Sequence, residues 1–192
     1  MELQCPEDLI IFQKFGHTVI VTGDPRKILH ALPKAQVVIG KPIQEYEFLD
    51  EVLARTPDQC HCYLLSHDPL HIETLRARGF DTVALVWDQK GVGSMSRLPG
   101  LRENSRVLLF GVKGQKALRK ECSDILRFQP AAGDSAPPSA LWHEIFQRST
   151  LPGDEVLNPF GRFGLAPYTA ATQRKVKLTA FDSWHTGEEL CK

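Results

Sequence analysis

Glu155-Val156-Leu157-Asn158-Pro159-Phe160-Gly161-Arg162-Phe163-Gly164 is the stretch that decides the fold. It reads as a buried strand, a tight glycine turn and a helix from about Leu165. Pro152-Gly153-Asp154 punctuates its start. A strand that runs through glycines into a helix presents free backbone N–H groups and the positive end of a dipole. Glycines also let a ligand approach the backbone closely. This suits a nucleotide-type cofactor. An ordinary strand–turn–helix has the same pattern, so the rest of the chain must decide.

Working back from that stretch, strands and helices alternate. His17 to Val21 reads as a strand, followed by Thr22-Gly23-Asp24-Pro25 and a short helix carrying Ile28, Leu29 and Leu32. Gln36-Val37-Val38-Ile39 is a continuous apolar run, as in a parallel strand covered on both faces. It stops at Gly40-Lys41-Pro42-Ile43, and a helix spans about Glu45 to Ala54. Strand Cys62–Leu65, helix Pro69–Arg78 with Leu70, Ile72 and Leu75 inward, and strand Thr82–Trp87 follow. A glycine-rich basic loop, 88–105, and a polar segment, 113–137, are expected to be mobile and flank a strand at Arg106–Val112 that can run antiparallel. Helix Ser139–Arg148 precedes the deciding stretch; strand Val176–Phe181 and an end helix from Thr186 follow it. The pattern predicts an α/β fold with a mainly parallel sheet and one antiparallel strand. All 192 residues are assigned to one domain, 1–192.

Composition excludes several classes. Net charge is zero, so no global field draws the chain to nucleic acid or membrane. Charge is locally uneven: nine basic residues face three acidic ones between Gln89 and Phe128. Five cysteines show no framework spacing. Cys60-His61-Cys62 is too tight for a zinc knuckle, and strand geometry puts the two thiols on one face with His61 opposite. No metal site is expected. Ser66-His67-Asp68 is contiguous rather than converging, so no nucleophilic arrangement is expected there. Reduced thiols, an N-terminus without signal character and no apolar run near 18 residues predict a cytoplasmic protein, or a nuclear one in a eukaryote.

In parallel α/β sheets, ligands sit beyond the carboxyl ends of the strands. Four such ends carry loop chemistry: Gly23-Asp24, Gly40 to Ile43, Asn158 to Gly164, and Asp182. In this order they resemble the amino-methyltransferases that modify adenine N6 or cytosine N4 in nucleic acid, in the class whose catalytic motif precedes its cofactor motif. The resemblance runs from about His17 to Leu190 and implies a Rossmann-like S-adenosylmethionine-dependent methyltransferase fold. Gly40-Lys41-Pro42-Ile43 stands at the Asp/Asn-Pro-Pro-aromatic catalytic position. Val86-Trp87-Asp88-Gln89-Lys90 matches a strand ending in Trp near a Lys. Asn158-Pro159-Phe160-Gly161-Arg162-Phe163-Gly164 matches Asp-Pro-Phe-x-Gly-Ser-Gly, and Phe181-Asp182 the following strand with its acid.

The resemblance implies residue roles, and the residues themselves qualify them. The catalytic motif accepts the two hydrogens of a weakly nucleophilic exocyclic amine as charge develops, and its aromatic stacks on the extruded base. Gly40 has no acceptor, Lys41 carries the wrong charge, Ile43 offers no stack, and only Pro42 remains. Glu45 and Tyr46 could substitute after a shift in register. The cofactor would meet Asp24, Asn158, Phe160, Gly161, Gly164 and Asp182; Asp24 and Asp182 are equally readable as helix caps. Arg162-Phe163 replaces Gly-Ser and would insert bulk at the methionine end. Lys90, Arg97, Arg102, Lys113, Lys116, Arg119 and Lys120 form the expected nucleic-acid segment; as a solvated loop they would do nothing of the kind. Trp87 reads as core.

The expectation is therefore a methyltransferase-fold protein with impaired catalysis that binds DNA in preference to RNA, or a protein partner, with S-adenosylmethionine as cofactor. It can form a homo- or hetero-dimer, has no membrane segment, and lacks a separate target-recognition domain. The alternatives are an active N6-adenine methyltransferase with a variant motif, and a protein-interaction module without either ligand.

Overall fold

The computed structural model describes residues 11–182 except 17, 23–24, 33, 44, 91–93, 96–101, 104, 122, 131–135, 162 and 164, with backbone alone at 11–15, 22, 25, 28, 94–95, 102–103 and 182. The strands are β1 (Ile11–Phe15), β2 (Thr18–Thr22), β3 (Val37–Gly40), β4 (Cys60–Leu65), β5 (Phe80–Asp88), β6 (Ser94–Met95), β7 (Arg102–Glu103), β8 (Ser105–Lys113), β9 (Ile125–Arg127), β10 (Glu155–Asn158) and β11 (Lys177–Asp182). The helices are α1 (Pro25–Ile28, continued by a 3-10 turn), α2 (Tyr46–Ala54), α3 (Pro69–Ala77), α4 (Ser139–Ser149) and α5 (Ala166–Arg174).

Nine strands form one sheet in the order β1-β2-β11-β10-β3-β4-β8-β5-β9. The expected antiparallel strand is β8, which opposes both β4 and β5. Sequence reading does not foresee β1, an edge strand antiparallel to β2. Strands β2, β11, β10, β3 and β4 pair in parallel. Leaving β10 the chain steps outward to β11, whereas leaving β3 it steps the other way to β4. The junction of β10 and β3 is therefore the switch point of the sheet.

The apolar runs bury both faces. Val37, Ile39 and Val156 pack with Leu141, Trp142, Ile145 and Phe146 of α4 and with α5. Val38 and Leu157 turn to the opposite layer, with Phe48, Leu49, Val52 and Leu53 of α2 and Leu75 of α3. Each fully buried large side chain contributes about 1.5–3 kcal/mol. Trp87 is core, as read, and its indole N–H donates to the Phe128 carbonyl at 2.7 Å.

Helix α3 departs from its predicted face. Asp68 caps it by accepting from the Leu70 N–H at 2.9 Å, and Pro69 begins it. That start leaves Leu70 49% exposed and turns His71 inward. Inside the 88–105 segment, β6 and β7 form a separate two-stranded ladder. Inside 113–137, β9 pairs with β5. The expected end helix from Thr186 lies outside the described residues.

Candidate functional site at the sheet switch point

Parallel pairing of Val156 with Val37 and Leu157 with Val38 delivers the loops after β10 and β3 side by side. The two motifs that sequence reading singles out thus meet at the crevice where such sheets take ligands.

Gly40 ends β3 with its backbone buried. A Cβ placed on it would lie 2.3 Å from Cδ2 of Phe160. The Phe160 ring therefore fills the space in which a side chain at this position would begin. It is held there edge-on by Phe48, with ring centroids 5.6 Å apart and planes at 82°. Lys41 is half-buried, Pro42 is buried and Ile43 is 52% exposed. Tyr46 opens α2, where its hydroxyl donates to the Asp68 carboxylate, and the Ile43 N–H donates to Glu45 Oε2 at 3.5 Å.

The other loop is anchored on both faces of the sheet. Phe160 goes to the α2 layer. Phe163 goes to the α4 layer, 2% exposed, its ring 4.5 Å from that of Trp142. Core packing, rather than obstruction of a cofactor, is what this phenylalanine does, contrary to the expectation from its sequence position. Between them Gly161 is buried with φ +62°, a left-handed turn that glycine makes without strain. Asn158 is 2% exposed, and its side-chain oxygen has no hydrogen-bond partner among the described residues. The backbone of Asp182 ends β11 opposite Thr22. Asp24, Arg162 and Gly164 lie outside the described residues.

Next to this crevice, at the ends of β3 and β4, is a cavity of about 610 Å³ lined by Lys41, Pro42, Ser66, His71 and Arg106 among others. Ser66-His67-Asp68 is contiguous in sequence, yet Ser66 does find a histidine. It meets His71, five residues on, with Oγ to Nδ1 at 2.7 Å. The signal was a serine at a strand end followed by a histidine in the first turn of the next helix. Burial lowers the His71 pKa, opposed by the Asp68 charge. The Tyr46 hydrogen bond, with that from Leu70, holds the Asp68 carboxyl below its usual range, and the same bond raises the Tyr46 phenol.

The described members of the expected nucleic-acid segment are not brought together. Lys90 follows the carboxyl end of β5, at the switch-point end of the sheet. Arg97 lies outside the described residues, and Arg102 is placed by its backbone in β7. Lys113 closes β8 opposite Cys60 and Phe80, at the far end of the sheet. Its ammonium donates to Thr56, and that of Lys116 to the Gln36 carbonyl at 2.7 Å. Lys120 pairs with Glu144 at 2.9 Å, and exposed Arg119 donates its backbone N–H to the Arg148 carbonyl.

Cys60 and Cys62 share one face of β4, as read, and burial pushes Cys60 up to about 12 and Cys62 upward too. His61 faces the other way. Its Nε2–H donates to the Lys116 carbonyl and its Nδ1 accepts from Ser149, both at 2.8 Å, while Ser149 Oγ accepts from Tyr63. Burial lowers its pKa to about 4. Among the described residues no His/Cys/Asp/Glu group is arranged to hold a metal, and no helix is long and apolar enough to cross a membrane.

No protein-family model and no curated protein sequence matches the chain. Solved structures do. The M1.HpyAVI–SAM complex aligns with a TM-score of 0.73 at 16% identity, over 91% of this chain and 97% of that one. The cytosine-N4-specific PvuII DNA methyltransferase aligns at 0.64 and 12% identity, over 90% and 86%. TTHA0409 of Thermus thermophilus, complexed with S-adenosyl-L-methionine, aligns at 0.62 and 17%, over 89% and 90%. The chain is therefore similar over nearly its whole length to DNA methyltransferases, and its fold is the Rossmann-like α/β fold of S-adenosylmethionine-dependent methyltransferases.

Proposed function

We propose that this protein is a catalytically impaired relative of the DNA adenine/cytosine amino-methyltransferases, acting by binding nucleic acid or a partner chain. The observation that carries this reading is the contact between Gly40 and Phe160. An amine acceptor is absent at the catalytic position, and a phenyl ring stands where its Cβ would be. Lys41 beside it adds a positive charge, which opposes both a sulfonium and a developing ammonium.

The cofactor half fits better. The buried oxygen of Asn158, without a partner among the described residues, suits the ammonium of an amino acid, and the turn at Gly161 permits close approach. Asn158, Phe160, Gly161 and Gly164, with Asp24 and Asp182 toward the nucleoside, would hold S-adenosylmethionine. When bound, that group supplies an electrophilic methyl on sulfur. This chain's own residues would orient it without activating an acceptor amine. Nucleic acid would approach the switch-point end, where Lys90, Arg97, Arg102 and Arg106 cluster in sequence around the β5–β8 connection.

Calorimetric titration with S-adenosylmethionine, followed by a methyl-transfer assay on DNA, tests this. Cofactor binding without transfer is expected. Transfer would mark an active enzyme with a variant motif. Loss of both cofactor and DNA binding would mark a protein-interaction module.

A further inference from the structure

The cavity beside the crevice has a chemistry of its own. Its volume of about 610 Å³ lies within the range of small-molecule sites, roughly 300–1,000 Å³. Two cationic side chains, Lys41 from the β3 loop and Arg106 from the start of β8, line it from different elements. Among the described residues no hydrogen bond or ion pair holds the Arg106 guanidinium. Asp68 also lines the cavity, but its two oxygens are taken up by the Tyr46 hydroxyl and the Leu70 N–H. Its carboxylate stays charged, so the lining carries two cations against one anion.

His71 supplies an independent observation. It is 1% exposed and lines the cavity, and its Nε2 has no partner among the described residues. Ser66 Oγ accepts from the Asp68 N–H at 3.1 Å and has its own proton left for His71 Nδ1. With the serine donating to Nδ1, the ring proton of a neutral His71 sits on Nε2. A buried donor without a partner is costly, and a ligand acceptor would satisfy it. Pro42, Ile43 and Leu65 add an apolar wall.

We propose that this cavity binds a nucleoside monophosphate, with Lys41 and Arg106 on the phosphate, the His71 Nε2–H as a further donor and the apolar wall against the base. Guanidinium and ammonium groups favour a phosphate dianion over a neutral base. The proposal is independent of whether S-adenosylmethionine binds.

The test is calorimetric titration of the full chain with adenosine 5′-monophosphate, adenosine and inorganic phosphate, on wild type and on Arg106→Gln, Lys41→Gln and His71→Gln. The nucleotide is expected to bind at least about tenfold more tightly than adenosine, and Arg106→Gln or Lys41→Gln to remove about that factor. His71→Gln should weaken the nucleotide as well. Arg106 is half-buried in a strand end, so its variant keeps the test open if His71→Gln fails to fold. Equal affinity for nucleotide and nucleoside, no saturable binding, or unchanged affinity in both cation variants would overturn the proposal.

Discussion

The ring of Phe160 occupies the position from which any side chain on Gly40 would have to start, 2.3 Å from the would-be Cβ. Gly40 ends β3, Phe160 lies in the turn after β10, and Phe48 packs edge-on against the ring. Gly40→Ala should therefore destabilise the protein by about 1–3 kcal/mol through overpacking. Combined with Phe160→Leu, its cost should shrink, giving a coupling of about 0.5–3 kcal/mol in a double-mutant cycle measured by denaturant unfolding. Strictly additive costs would show that the ring does not obstruct this position. Gly40→Asp should not restore methyl transfer, since the carboxylate has nowhere to go.

Phe163 should prove structural. Phe163→Ala is expected to cost about 3–5 kcal/mol, as for other buried phenylalanines, because it empties the contact with Trp142. A stable variant with stronger S-adenosylmethionine binding would instead reinstate the plug.

Asn158 can be tested with its carboxylate. Asn158→Asp places a charge at a site 2% exposed, where the oxygen has no partner among the described residues. Thermal unfolding should show a lower melting temperature than wild type without ligand. The melting shift on adding S-adenosylmethionine should be larger in the variant, because the ligand ammonium neutralises the charge. Equal shifts would place the ligand elsewhere.

His61 makes stability depend on pH. Unfolded, it takes a proton near its ordinary value of 6.5; folded, burial delays this to about 4. Between those values the unfolded state holds more protons, so stability falls as pH falls, by up to about 1.4 kcal/mol per pH unit. Urea unfolding across pH 4–7 should show this slope, and His61→Gln should reduce it, leaving the part that the likewise lowered His71 contributes. An unchanged slope in the variant would assign the effect to other groups.

The divided basic segment predicts divided effects on nucleic-acid affinity. Neutralising Lys90 or Arg106 should weaken DNA binding and flatten its salt dependence, by about 0.9 in log–log slope for each phosphate left without its cation. Neutralising Lys113 or Lys120 should leave both unchanged, since these lie at the far end of the sheet or pair with Glu144. Filter binding over a salt series reads the difference, and a drop with Lys113 would move the interface to the opposite end.

The alternation of elements was legible because buried parallel strands read as apolar runs and their helices as periodic ones, as at Val37–Gly40 and Tyr46–Ala54. That the Gly40 and Asn158 loops lie at one end of the sheet follows from strand direction, but their being side by side depends on the strand order, which no local pattern carries. Apart from β1, five residues long, the strands that escaped were too short to show a periodicity. β9 is three residues long and β6 and β7 are two each. The face of α3 was misjudged because Leu70 is the more apolar neighbour of His71, whereas the cap at Asp68 sets the rotation. Loop sites built across distant elements, such as Lys41 with Arg106, leave no spacing signal at all.

β11 has a consequence for how the chain must be assembled. It is hydrogen-bonded to β2 on one side and β10 on the other, with Leu178 beside Thr18 and Val156. The strands from β3 to β9 come from one continuous run of sequence and can pair with one another as they are synthesised. β1 and β2 belong to the finished sheet only through the last strand. A nascent chain that stops before Lys177 leaves β2 and β10 each with an open edge, so completion of the sheet, and with it of the switch-point crevice, waits on the carboxyl-terminal end of the described chain.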